Sequence, residues 1–306
     1  MSDRARLVEE SGRIIAQGSK SFRFASQIFD QQTRERSWLL YAWCRACDDV
    51  TDGQTLGHDA VTPDDPAERI AFLRTTTNAA LAGRPTGLAA FDAFALVAAE
   101  CSIPPKLASD HLAGFARDAT GWTPANEDEL LSYCYQVAGA VGVMMAHVMG
   151  VSASDRDTLD RAADLGIAFQ LANIARDIVD DAKVGRCYLP LDWLAAEGMA
   201  DTDLQALAHR PALARLARRL ADVADHYRES SKVGAARLPF RSRWAVNSAA
   251  QIYGRVATRA VELGPRAWDK RISIPRREKF RLVLKALCDS LATPRKVSRE
   301  GLWTRA

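Results

Sequence analysis

Gln170, Asn173, Asp177 and Asp181 are spaced three, four and four residues apart within QLANIARDIVDDAKVGRCYLP (Gln170–Pro190). On a helix that spacing puts all four on one face. Two carboxylates one turn apart repel each other. Near a helix C-terminus they also oppose the macrodipole, at a cost of a few tenths to about 1 kcal/mol. A bound cation resolves both conflicts. A second stretch, YAWCRACDDVTD (Tyr41–Asp52), repeats the design with Asp48 and Asp52 four apart and Arg45 one turn earlier. One DxxxD is weak, because exposed helices are rich in acids. Two of them, each ending an apolar helix, describe opposed jaws around a metal. Oxygen donors with no His or Cys nearby select a hard ion, Mg²⁺ ahead of Mn²⁺ or Ca²⁺. Mg²⁺ held by few carboxylates completes its shell with water and substrate phosphate, so phosphate is the natural third party.

The neighbouring residues fit that chemistry. Arg45 and Arg176 sit within a turn of the carboxylates, and Lys20, Lys183 and Arg186 flank the two motifs. Arg grips a diphosphate through paired hydrogen bonds, although plain salt bridging to the same aspartates is the ordinary reading. Ser19 and Ser21 offer hydroxyls to phosphate and equally suit a turn. Phe22, Phe24, Tyr41, Tyr133, Tyr135, Phe169 and Tyr253 gather in sequence around these polar ends. Most aromatic stripes are core. Beside a carbocation, however, each ring face contributes about 0.5–2 kcal/mol.

The elements that must position these side chains are helical throughout, because 3.6-residue periodicity recurs from end to end and strand patterns are nearly absent. Trp38 to Trp43 is apolar almost all round, which places that helix in the centre and turns its terminal aspartates toward a cavity. Helices are expected over 4–17, 33–52, 88–101, 105–119, 154–182, 191–197, 201–209, 211–230, 240–262 and 275–291. Asp65-Pro66-Ala67-Glu68 supplies an N-cap, a first-turn proline and a capping-box Glu for a helix to Leu81. Asn126 with Glu129 opens one long helix to Met149 in the same way. The 306 residues, 48% hydrophobic and 26% charged, suit one large all-α domain, residues 1–306.

Leu130 to Ser154 carries no Asp, Glu, Lys or Arg. Its Ser, Tyr, Gln, His and small residues suit a central helix lining a cavity better than a membrane span. The N-terminus lacks the apolar core of a signal peptide, which implies a cytoplasmic protein with reduced thiols. Cys44 and Cys47 form a lone CxxC with no second pair, so core packing is the expected role. From Arg266 onward 12 Lys or Arg stand against 4 Asp or Glu, +8 of a net +3. That excess suits an anionic lipid surface or a phosphorylated substrate. Residues 293–306 are expected to be a flexible basic tail. Nucleic acid is not an expected partner, since the basic segment lacks interleaved aromatics and the candidate site is acidic. GxGxxG, P-loop, GxSxG and HExxH motifs are absent.

SKSF (Ser19–Phe22), YAWCRACDDVTD, YCYQVAGAVG (Tyr133–Gly142) and the Gln170–Pro190 block together resemble the squalene and phytoene synthase family. WAVNSAAQIYGRV and WDKRISI are similar to segments of its bacterial phytoene synthases. The resemblance implies an all-α isoprenoid-synthase fold around a central cavity. It also implies Mg²⁺-dependent head-to-head condensation of two geranylgeranyl diphosphates to phytoene through prephytoene diphosphate, in carotenoid biosynthesis. By the same resemblance Asp48 and Asp52 form the first metal motif, and Asn173, Asp177 and Asp181 the second. Ser19, Lys20, Ser21, Phe22, Tyr41, Arg45, Tyr133, Gln170, Arg176, Tyr253 and Arg271 contact diphosphate or substrate. Tyr41 and Arg45 join the aspartates as catalytic residues. Gly18 stands where some relatives carry a bulkier polar residue. Mn²⁺ is a possible substitute metal, and no NADPH is expected. Farnesyl diphosphate is the alternative substrate, and a non-enzymatic helical scaffold is the alternative from another class. A hydrocarbon product implies peripheral attachment to the inner face of the membrane.

Overall fold

The computed structural model describes residues 3–18, 23, 25–53, 65–199, 203–293 and 295–305, and all regular structure among them is helical. Ser19, Lys20, Ser21, Phe22 and Phe24 lie outside the described residues.

Helix α1 (Asp3–Gly18) buries Leu7, Ser11 and Ile15, one residue per turn. Helix α2 (Gln31–Thr51) starts where the Asp30 carboxylate accepts from the Thr33 amide at 3.0 Å. It is buried along most of its length, and Trp43 stacks on Phe94 with centroids 4.0 Å apart. Helices α3 (Pro66–Leu81), α4 (Ala89–Cys101) and α5 (Pro105–Ala119) wrap this side of the core. The Asp65 cap on Glu68 and the Asn126 cap on Glu129 form as the sequence predicts.

The long helix expected from Asn126 to Met149 is interrupted. It divides into α6 (Glu127–Cys134), a π turn (Tyr135–Gly139) and α7 (Ala140–Val148). The interruption lies where the segment packs closely against the central helix α8 (Arg156–Lys183). A Cβ on Gly166 would lie 2.3 Å from the Ala138 carbonyl oxygen, and one on Gly142 would lie 2.3 Å from that of Ala162. Backbone meets backbone there, so only glycine fits. The extra residue of the π turn re-aims the side chains on either side of it. The Tyr135 hydroxyl donates to Asp110 at 2.8 Å and its ring packs on Trp303, away from the aspartate motifs.

After α8 the chain forms α9 (Leu191–Ala196), α10 (Arg210–Ala235), α11 (Phe240–Leu263) and α12 (Arg276–Leu291). The helix expected over 201–209 is reduced, among its described residues, to a 3₁₀ turn at Leu207–His209. The segment after Thr293, expected to be a flexible tail, folds back instead. Arg299 forks onto Asp164 with both contacts at 2.8 Å, Arg305 pairs with Asp160 at 2.7 Å, and the Trp303 amide donates to the Tyr227 hydroxyl. Its basic residues answer acids on α8 that lie far away in sequence.

His111 on α5 is 3% exposed, packed against Trp43 and Phe115, and its Nδ1–H donates to the Gln136 carbonyl in the π turn. Burial, opposed only by that bond, lowers its pKa from 6.5 to about 4. The unfolded chain therefore takes up this proton below pH 6.5 while the folded one does not. The stability involved is complete above pH 6.5 and is lost, by about 3 kcal/mol, as pH falls toward 4. Asp48 and Asp181, whose pKa values are raised, act in the opposite direction in wild type and variant alike. Urea unfolding of wild type and His111→Gln from pH 7 to 4 isolates the difference. Parallel curves would refute it.

Candidate active site

Helices α2 and α8 bring their C-terminal ends to the mouth of one cavity of about 710 Å³. From α2 it is lined by Tyr41, Arg45, Asp48 and Asp52, and from α8 by Gln170, Asn173, Arg176, Asp177 and Asp181. Tyr133, Tyr253 and Arg271 line it as well. Phe169 joins them, whereas Tyr135 and Lys183, also named from sequence, do not line this space.

The two motifs are joined by an ion pair. Past α8 the chain turns at Gly185, whose φ of +76° favours glycine, and the Arg186 amide donates to the Asp181 carbonyl. The Arg186 guanidinium then donates to the Asp52 carboxylate at 2.8 Å. Arg45 is shared between Asp48 at 3.3 Å and Asp49 at 2.6 Å. Arg176 forks onto Asp177, with Nε–Oδ1 at 2.7 Å and a second, shorter contact. Lys183 instead pairs with Asp180 and does not line the cavity.

This charge is only partly compensated. Burial, and then the proximity of Asp52, pushes the Asp48 carboxyl up to about 6. Burial, and then Asp177, pushes Asp181 up to about 7. Carboxylates held above their ordinary range in a cleft have a site's worth of unmet negative potential, which a cation would satisfy. Among the described residues no three acidic, His or Cys side chains converge closely enough to enclose a metal ion unaided. The donors are arranged as two separated pairs.

Tyr133 serves two neighbours. It lines the cavity, but its hydroxyl donates to Asp118 at 2.9 Å and its ring stacks on Tyr188. Tyr188 donates to the same carboxylate at 2.9 Å, and burial still holds Asp118 above the usual range. Arg186, which flanks the second motif in sequence, completes the polar mouth with Asp118 and Tyr188, two residues the sequence does not single out. The available signal was the triplet Ala116-Arg117-Asp118 ending α5, which matches Ala175-Arg176-Asp177 on α8. Deeper in, Phe169 stacks on Tyr253 with centroids 4.1 Å apart. Gly18 lies against Tyr41, where an added Cβ would come within 2.5 Å of the phenol oxygen. The bulkier residue of some relatives requires Tyr41 to move. Burial raises the Cys44 thiol to about 12 and holds Cys47 well above its ordinary range, so the CxxC carries no thiolate.

Comparison with known proteins agrees with this geometry. The squalene/phytoene synthase family model matches residues 15–278. A 15-cis-phytoene synthase of Pantoea ananas is 47% identical over 289 residues, covering 94% of this chain and 93% of that protein. A 15-cis-phytoene synthase from a Paracoccus species is 43% identical over 308 residues, covering 100% and 99%. A dehydrosqualene synthase of known structure superposes with TM-score 0.82 at 25% identity, covering 93% of this chain and 96% of that one. The squalene synthase HpnC from Alicyclobacillus acidocaldarius does so with TM-score 0.75 at 21% identity, covering 86% and 95%. The fold is that of the isoprenoid synthases, and the chain belongs to the squalene/phytoene synthase family.

Proposed function

We propose that the protein is a 15-cis-phytoene synthase, joining two geranylgeranyl diphosphates head to head through prephytoene diphosphate in carotenoid biosynthesis. The observation that carries this reading is the joining of two aspartate pairs and their arginines to an apolar interior in one cavity. Near-full-length relatives bearing that name support it.

Asp48, Asp52, Asn173, Asp177 and Asp181 fit Mg²⁺, with Mn²⁺ as a substitute, because they are oxygen donors whose charge is unmet. When bound, the metal neutralises charge on a departing diphosphate. Arg45, Arg176, Arg186 and Arg271 orient the diphosphates. The stacked faces of Phe169 and Tyr253 lie where an allylic cation needs shielding, and the apolar walls exclude water that would quench it. One cation is attacked at its C1 by the double bond of the second substrate, and loss of a proton from that same carbon to the released diphosphate closes the cyclopropane. A second ionisation opens the ring, and proton loss leaves the central double bond. Tyr41, Tyr133, Tyr188 and Tyr253 all have raised pKa values, chiefly through burial, so none offers a phenolate. The released diphosphate is the remaining proton acceptor. No reductant enters this balance, so NADPH has no role.

Farnesyl diphosphate is the competing substrate, because a dehydrosqualene synthase shares the fold. Purified protein given each diphosphate with Mg²⁺, with and without NADPH, is expected to release phytoene from geranylgeranyl diphosphate in both conditions. Hydrocarbon formed only from farnesyl diphosphate would overturn the substrate assignment. Among the described residues no helix is long and apolar enough to cross a membrane. Since phytoene does not dissolve in water, the enzyme is placed on the inner face of the cytoplasmic membrane as a peripheral protein.

A further inference from the structure

Helix α12 has one apolar face too many. Val283, Ala286 and Ser290 are buried against the rest of the fold. A second row, Phe280, Leu284, Leu287 and Leu291, recurs at helical spacing and does not enter the core. Phe280 is 58% exposed, Leu284 45% and Leu291 73%. Phe240, opening α11, is 44% exposed and joins Phe280, Leu284 and Leu287 around a groove of about 450 Å³. Four of the seven large apolar side chains exposed among the described residues are therefore on this face, which is a patch and not a scatter.

Its charges are sorted. Arg277, Arg281 and Lys285 form an exposed row beside the apolar one, and Arg276 starts the helix. None of these four makes an ion pair among the described residues. The acids of α12 point to α11 instead. Glu278 accepts from Arg255 at 2.5 Å and Asp289 from Gln251 at 2.7 Å. An apolar strip bordered by unpaired Arg and Lys, with the acids turned away, is complementary to the acyl boundary and negative headgroups of a bilayer. In the C-terminal segment Arg299 and Arg305 are taken up by Asp164 and Asp160, which leaves Arg295 and Lys296 as its exposed cations with no large exposed apolar side chain beside them among the described residues.

The face is also close to the chemistry. Ile28 and Trp244 line the groove, while Phe29 and Ala245, their chain neighbours, line the reaction cavity. Ile28, Phe29, Ala245 and Val283 pack as one small cluster between the two spaces. We propose that α12 and the start of α11 are the surface by which the protein docks on an anionic lipid bilayer, with one layer of chain between the membrane and the apolar cavity wall. The proposal rests on the peripheral-membrane reading above and names the surface that performs it.

The test is co-sedimentation of the full chain with vesicles of phosphatidylcholine, with and without phosphatidylglycerol. Wild type is expected to bind the anionic vesicles. Phe280→Ser with Leu284→Ser, and separately Arg281→Gln with Lys285→Gln, are each expected to bind about tenfold or more weakly. Circular dichroism and melting confirm that each variant is folded. The charge variant is further expected to lose the preference for anionic vesicles. If wild type binds and both folded variants bind equally well, the docking face is wrong while membrane attachment stands. If wild type binds neither vesicle, attachment itself fails, and the proposal with it. Variants that change the oligomeric mass but not vesicle binding would assign the face to a second copy of the chain and overturn the proposal.

Discussion

Asp177→Ala and Asp48→Ala are each expected to lower turnover by about a thousandfold or more while leaving the helical circular dichroism unchanged. The two lesions differ in kind. Asp177 is forked by Arg176, so its removal would take away a donor of the proposed metal site and would also release the arginine. Asp48 shares Arg45 with Asp49, and burial holds it above its ordinary pKa. A carboxylate in that condition is disfavoured by its own surroundings, so Asp48→Ala is expected to melt no lower than wild type. Loss of activity without loss of stability marks a group kept for chemistry and not for packing. Asp49 is the internal control. It stands next in sequence and pairs with the same arginine but does not line the cavity, so Asp49→Ala is expected to cost only a few-fold. Diphosphate release measured across a Mg²⁺ titration decides the matter. Normal turnover in Asp48→Ala or Asp177→Ala would remove the metal assignment and favour a non-enzymatic scaffold.

The residues that were legible share one property: their meaning is local. Asp65 and Asn126 cap helices through amides three residues away, and that distance is visible in the sequence. Asp177 and Asp181 are one turn apart on any helix, so their shared face follows from spacing. Arg271 has no such signature and is reached only through the family resemblance, while Tyr253 is otherwise one of several aromatics with no spacing to set it apart. Asp118 was hidden because a lone acid at a helix end is ordinary, and its partner Tyr188 is 70 residues away. The π turn was hidden because Leu130 to Ser154 carries no charge to mark one face against another, so one inserted residue leaves the pattern intact. It lies where the segment meets the backbone of α8 at Gly166, a contact distant in sequence. The C-terminal segment was misread for a related reason. Its composition matches a solvated tail, and nothing nearby announces that Arg299 and Arg305 meet acids 135 and 145 positions earlier.

That segment supplies the largest expected effect on stability. Asp164 is fully buried, accepts two 2.8 Å bonds from Arg299, and accepts a third from Ser230 at 2.6 Å. Ser230 in turn accepts from Arg161 at 3.1 Å. Burial outweighs these partners and keeps the Asp164 pKa above the usual carboxylate range, so the pair as a whole is no large net stabiliser. Breaking it is another matter. Asp164→Ala leaves the Arg299 guanidinium beside a buried void with its main counterion gone, which is expected to cost about 3–5 kcal/mol. The Tyr227 bond to the Trp303 amide and the packing of Trp303 on Tyr135 depend on the same strap, so proteolysis beyond Thr293 should accelerate in the variant. Arg299→Met alone is expected to be similarly damaging, whereas Asp164→Leu with Arg299→Met should recover much of the loss, because neither partner is then left charged and alone. A urea-unfolding double-mutant cycle built from Asp164→Leu, Arg299→Met and their combination reads this directly. If the two single losses simply add in the double variant, Asp164 and Arg299 do not act as a pair, and the strap is held by its aromatic contacts instead.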